Sequence, residues 1–167
     1  MCGIGGIIGT NSNKRVQEML NLLKHRGPDA RGIWKSNREL SLGHVRLSIN
    51  DLSEAGNQPM FSEDRSIVLV ANGEIYNYLD LRKELELKGI KFNSNSDSEV
   101  IIHAWKTWKH KCFQMFNGMF AFALFDHKNN ELVLVRDRMG IKPLYYSELN
   151  NEFIFSSEIK SIVAVMK

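Results

Sequence analysis

The second residue of the chain is a cysteine, in the run Met1-Cys2-Gly3-Ile4-Gly5-Gly6. A side chain this small permits removal of the initiator methionine. Cysteine would then come first, with a thiol and a free α-amine on one carbon: a nucleophile and a base in a single residue. An α-amine has a pKa of roughly 7.7–8.0, so much of it is neutral near pH 7–8, where a lysine amine stays protonated. The thiol is the most nucleophilic side chain at neutral pH, and an adjacent base helps it further. Small second residues are common, so the weight of this reading rests on the other segments.

Four of those segments carry groups suited to such chemistry, each beside a plainer explanation. In Gly43-His44-Val45-Arg46-Leu47-Ser48-Ile49 an alternating strand puts His44, Arg46 and Ser48 on one face. Arg46 could fork onto a carboxylate with two parallel hydrogen bonds, or make a surface salt bridge. Asn72-Gly73-Glu74 is either a turn or an oxyanion hole, with the Asn72 amide and the Gly73 backbone N–H as donors. In Asn95-Ser96-Asp97-Ser98-Glu99, Ser96 or Asp97 caps a helix, and a carboxylate there could also hold an ammonium. His25-Arg26-Gly27-Pro28-Asp29 reads as a helix end and structured loop. The glycines after Cys2 do not form G-x-G-x-x-G, and no Gly-Lys-Ser/Thr follows, so nucleotide binding is unsupported. Glycines beside a nucleophile could instead let backbone and substrate approach closely. None of the five histidines pairs at metal-ligand spacing, and no Gly-x-Ser-x-Gly elbow is present.

Composition removes further classes. At 167 residues the chain can bury a real core. A net charge of +3, with basic residues scattered as in Lys106, Lys109 and Lys111, argues against nucleic acid. No apolar stretch approaches a membrane span, and the N-terminus lacks the basic region of a signal peptide. Two cysteines, Cys2 and Cys112, make no disulfide framework, and a reducing cytoplasm fits. Cys112, among Phe113, Met115 and Phe116, reads as a core thiol.

The elements that must position these groups follow from hydrophobic spacing. Strands are predicted over 3–8, 39–49 and 66–71, as a pair over 119–126 and 131–136 around a His127–Asn130 turn, and as a hairpin over 144–147 and 153–156. Helices are predicted over 14–24, stopped by Gly27-Pro28, over 78–88, closed by Gly89, over 97–109, and from about Ser157. Antiparallel hairpins with helices between them indicate α+β layers rather than an alternating parallel sheet. The final apolar helix suggests an interface, which leaves a homodimer open, or a truncation point.

Taken in order, MCGIGG, HRGPD, GHVRLSI, ANGEIYNY, SDSE, FNGMFAFALFD, RDRMGIKPLYY and SSEIKSI resemble the glutaminase domain of the class II glutamine amidotransferases, which are N-terminal nucleophile hydrolases. The asparagine synthetase branch fits best, through HRGPD and the R-L-S-I segment. The resemblance implies a four-layer αββα sandwich of two antiparallel sheets, with residues 1–167 forming one glutaminase domain. It implies Cys2 as nucleophile with its own α-amine as base, and Asn72 and Gly73 as the oxyanion hole. Arg46 would take the α-carboxylate of glutamine, Glu74 and Asp97 its α-ammonium, and backbone from Leu47 through Ile49 to Asn50 would line the pocket. The domain would need no cofactor. ATP and Mg are expected only for an aspartate-adenylylating synthetase domain, whose Ser-Gly-Gly-x-Asp-Ser signature is not in this sequence, so that domain or a separate synthetase subunit is the expected partner. Two alternatives stand beside this: an amidotransferase serving a different acid, such as one on a surface sugar, and a non-catalytic regulatory domain.

Overall fold

The computed structural model describes residues 1–37, 39–48 and 54–166. Nine strands make two antiparallel sheets among these residues. The first sheet runs in the order β2 (Ala30–Lys35), β3 (Leu40–Arg46), β1 (Gly3–Ile8), β9 (Glu152–Ser156), β8 (Tyr145–Leu149). The second runs β4 (Met60–Phe61), β5 (Ile67–Ile75), β6 (Gly118–Asp126), β7 (Glu131–Arg136). Helices α1 (Ser12–Leu23) and α5 (Ile159–Val165) cover the first sheet, and α2 (Tyr78–Leu87) and α3 (Asp97–Trp108) cover the second. A short helix, α4 (Cys112–Met115), precedes β6.

Three apolar clusters correspond to the three interfaces of this stack. Val16, Met19, Leu20 and Leu23 of α1 meet Ile7, Val45 and Ile154, with Ile162 and Val165 from α5. Ile101, Ala104 and Trp105 of α3 meet Leu69, Phe120, Phe122 and Leu124 under the second sheet. Between the sheets lie Ile4, Leu40, Leu42, Val68, Val70, Ala123, Phe125 and Phe155. These layers are the αββα sandwich that the family resemblance implies.

The middle layer positions the site. Alternate residues of a strand face one way. On β3 the inward series is Leu40, Leu42, His44, Arg46; on β5 it is Val68, Val70, Asn72, Glu74; on β1 it is Cys2 before Ile4. Each series runs from apolar to polar in the same direction, set by the antiparallel register Ile4 opposite His44 and Ile8 opposite Leu40. The inter-sheet core therefore ends in a cluster of polar side chains at one edge of the sandwich.

Several boundaries differ from the sequence reading. Strand β2 was not predicted: Ala30–Lys35 carries Arg31 and Gly32, lies at the sheet edge, and owes its extended form to pairing with β3. Strand β5 runs to Ile75, past the predicted end at 71, so Asn72-Gly73 is extended sheet and not a turn. Gly3, Gly5 and Gly6 serve packing: an added Cβ would strike Val45 at Gly3 and Phe155 at Gly6, and would crowd Met19 at Gly5. They do not line the site.

Candidate active site

One cleft at the polar edge is lined by Cys2, Arg46, Leu47, Asn72, Gly73, Glu74 and Asp97, together with Met1, His44, Gln58, Met119 and Lys142. Every described site residue named from the sequence is in it. Ile49 and Asn50 lie outside the described residues. The space measures about 110 Å³. At roughly 10–15 Å³ for each water-sized group, that is room for a ligand the size of an amino acid.

Cys2 is held from two sides. Its Sγ lies 3.4 Å from the Leu47 N–H and 3.6 Å from the Leu47 carbonyl oxygen. Its backbone carbonyl accepts from Arg26 Nε at 3.0 Å, and Arg26 is fixed in turn by Glu158 at 3.0 Å. Burial pushes the Glu158 carboxyl up, but Lys160, Arg26 and His25 outweigh it and hold it at about 2. Asp29 accepts from the Ser48 N–H at 2.8 Å. The His25–Asp29 loop thus clamps both Cys2 and the end of β3, a positioning role the sequence reading did not give it. The signal was hidden because Arg26 and Glu158 meet only through tertiary folding.

Asn72 lines the same cleft as the thiol; it is 1% exposed, with its Nδ2 donor unpartnered among the described residues. Buried polar groups are nearly always bonded, so such a donor invites a ligand acceptor. Gly73 follows at φ 154°, where a side chain would be strained and would run into the Met119 carbonyl and the Phe120 backbone. Only glycine lets β5 pass there.

Arg46 is 7% exposed and donates from NH1 to Asn57 Oδ1 at 2.8 Å, so it is a buried cleft residue and not a surface one. Asp97 stands at the start of α3, which Ser96 caps by accepting from the Ser98 N–H. Its Oδ2 accepts from the Ile75 N–H at 2.7 Å. Burial, helped by the neighbouring Glu74 charge, outweighs that Ile75 bond and pushes the Asp97 carboxyl above its ordinary value. Glu74 and Asp97 face the same cleft, and two carboxylates there attract a cation. The cleft therefore offers a fixed cation for a carboxylate at Arg46 and an anionic pair for an ammonium.

Three further lining residues went unassigned in the sequence. Gln58 Oε1 accepts from the Ala71 N–H at 2.5 Å. His44 Nε2 bonds the Ala71 carbonyl at 3.1 Å. Burial, with Arg46 nearby, pushes the His44 imidazole down to about 3 against the pull of that bond, so the ring is neutral. Lys142 is 6% exposed, with Nζ 3.4 Å from Met1 Sδ. It is delivered by the 137–142 loop, in which Asp137 collects the N–H groups of Phe120, Met139, Ile141 and Lys142. Cys112 is fully buried, and burial pushes its thiol up to about 12, which removes it from thiolate chemistry. Among the described residues no group of His, Cys, Asp and Glu could hold a metal ion, and no helix is long and apolar enough to cross a membrane.

The family profile described as a glutamine amidotransferase domain matches residues 1–167. The chain belongs to the glutamine amidotransferase domain family. It is 40% identical to the asparagine synthetase [glutamine-hydrolyzing] 3 of Bacillus subtilis, over 98% of this chain and 28% of that protein. It is 42% identical to the amidase chry2 of Gibberella zeae, over 98% of this chain and 26% of that protein. The chain thus spans about a third or less of the length of the curated relatives it matches. Among solved structures, the glutamine phosphoribosylpyrophosphate amidotransferase of B. subtilis superposes with a TM-score of 0.84 at 23% identity, covering 98% of this chain and 43% of that one. At that identity the likeness speaks for the amidotransferase fold alone. The two-sheet sandwich of this family member agrees with it.

Proposed function

We propose that this domain hydrolyses the side-chain amide of glutamine through a γ-glutamyl thioester on Cys2. The observation that carries the reading is the meeting, in one amino-acid-sized cleft, of the Cys2 thiol, the unpartnered Asn72 amide donor, the Arg46 cation and the Glu74–Asp97 pair. Removal of Met1 frees the Cys2 α-amine inside that cleft. Arg46 takes the α-carboxylate and the acidic pair takes the α-ammonium, which sets the side-chain amide before the thiol. The Sγ attacks the amide carbon and its proton passes to the α-amine, directly or through a water. The oxyanion forms beside Asn72 Nδ2 and the Gly73 backbone. On collapse the C–N bond breaks, the protonated amine gives its proton to the leaving nitrogen, and ammonia departs. Water then attacks the thioester, its proton returns to the amine, and glutamate leaves with the thiol restored. No step needs a cofactor.

The ammonia would be delivered to a synthetase domain or subunit that makes asparagine from aspartate with ATP and Mg. The glutamine-hydrolyzing asparagine synthetases among the relatives support this acceptor. With a free thiol at its centre the enzyme fits a reducing cytoplasm. Ammonia release from glutamine by the processed domain, measured beside asparagine formation in the full-length protein, tests both parts.

Three outcomes are expected of the binding and oxyanion groups. Arg46→Lys keeps the charge but loses the planar fork, so the KM for glutamine should rise at least tenfold, on the order of 1.4 kcal/mol or more. Kinetics equal to wild type would place Arg46 outside the site. Asn72→Ala should leave the fold intact and lower kcat by about 10²–10³, with a much smaller change in glutamine binding, because the donor meets charge that develops later. A rise in KM at constant kcat would contradict an oxyanion role. Asp97 must be ionised to hold an ammonium, and its pKa is raised. Glutamine affinity should therefore weaken on acidification already above the ordinary carboxylate range, and Asp97→Asn should remove that limb. Calorimetry across pH, recording proton release on binding, checks the sign.

A further inference from the structure

Two buried side-chain atoms at the cleft have no partner among the described residues: Asn72 Nδ2 and His44 Nδ1. They are chemically opposite. The Asn72 amide nitrogen is a donor. The Ala71 carbonyl can only accept, so His44 Nε2 carries the ring proton and donates to it, at 3.1 Å. That leaves Nδ1 of the neutral ring as a bare acceptor. His44 is 1% exposed, as is Asn72, so neither atom is satisfied by bulk water. The ring cannot turn over to change this without giving up its bond to Ala71. The two residues sit on the facing strands β3 and β5, at the same polar end of the inter-sheet layer, and both line the cleft.

A single donor and a single acceptor, both desolvated, complement a primary carboxamide. Its carbonyl oxygen accepts and its N–H groups donate. A carboxylate offers only acceptors, and an ester has no N–H. We propose that His44 Nδ1 accepts a hydrogen bond from the side-chain amide N–H of the bound substrate and so selects the amide over the carboxylate or ester of the same skeleton. This rests on the glutaminase reading above. The same lone pair opposes the carboxylate of the product, which favours release of glutamate. It also gives His44 a purpose without making it a base, since a ring held at about 3 takes no proton at neutral pH.

The test uses the Cys2→Ala protein, which can bind glutamine without turning it over, with glutamine and glutamate γ-methyl ester as probes. Adding His44→Gln keeps a donor able to reach Ala71 and removes the acceptor at the Nδ1 position. Glutamine affinity should fall about tenfold, the scale of one neutral hydrogen bond, while ester affinity changes less than about twofold. Equal losses for both ligands would mean a structural role and overturn the proposal, as would no loss for either. A second measurement leaves His44 in place: in the ¹⁵N-labelled Cys2→Ala protein the Nδ1 resonance of His44 should move on adding glutamine and stay on adding the ester. No movement with glutamine, or the same movement with both, rejects the role. If the processed wild type hydrolyses glutamine while the His44 tests fail, only this inference falls. If it does not hydrolyse glutamine, the glutaminase reading itself has failed.

Discussion

Cys2→Ala is expected to abolish glutamine hydrolysis, by a factor on the order of 10⁶, the scale seen when a catalytic nucleophile is removed. The fold should survive. Cys2 is only half-buried, and its Sγ contacts are a long pair with the Leu47 backbone. The loss in stability should stay within about 1 kcal/mol. Cys112 gives the opposite pattern. It is fully buried in the cluster beneath the second sheet, so Cys112→Ala should lower the melting temperature and leave turnover per folded molecule unchanged. Melting curves and initial rates on both variants separate the two thiols. Full activity in Cys2→Ala would remove the foundation of the account.

A residue left attached ahead of Cys2 should be nearly as damaging. The α-amine is then part of a peptide bond and cannot accept a proton, and a well-placed general base is worth about 10²–10⁴ in rate. Met1 also lines the cleft itself, with its sulfur against Lys142. The comparison needs two preparations verified by mass, one starting at Cys2 and one keeping Met1, assayed side by side near pH 7–8. The processed form should carry the activity. Equal turnover by both would show that the base is another group and that Cys2 works as an internal thiol.

Much of this was legible in the sequence because local patterns carried it. The apolar runs of β1, β5 and β6, the alternation around Arg46 in β3 and the helical spacing in α1 and α3 are properties of neighbouring residues. So are the small residue at position 2 and the capping signature at Ser96. Patterns that depend on distant partners were hidden. Strand β2 lacks an apolar alternation of its own and forms because β3 offers it an edge. The sheet order joins β1 to β9, near opposite ends of the chain. Arg26 reaches the Cys2 carbonyl from one side and Glu158 from the other, a clamp that no local window contains. His44 was placed on the Arg46 face by alternation, yet its unpartnered nitrogen appears only once β5 packs across from β3. Asn72-Gly73 shows the limit of turn statistics. The dipeptide favours a turn, but pairing with Ala121 and Phe120 keeps it extended and puts the amide into the cleft.

The most direct test of Cys2 as the N-terminal nucleophile is covalent trapping. The processed protein is treated with a chloroketone analogue of glutamine, with and without excess glutamine, and its peptides are mapped by mass spectrometry as activity decays. One equivalent should attach to the peptide beginning at Cys2 in step with loss of activity. Cys112 should stay unlabelled, and glutamine should protect. Inactivation with the label on Cys112 or elsewhere, or full labelling of Cys2 with hydrolysis intact, would contradict the account.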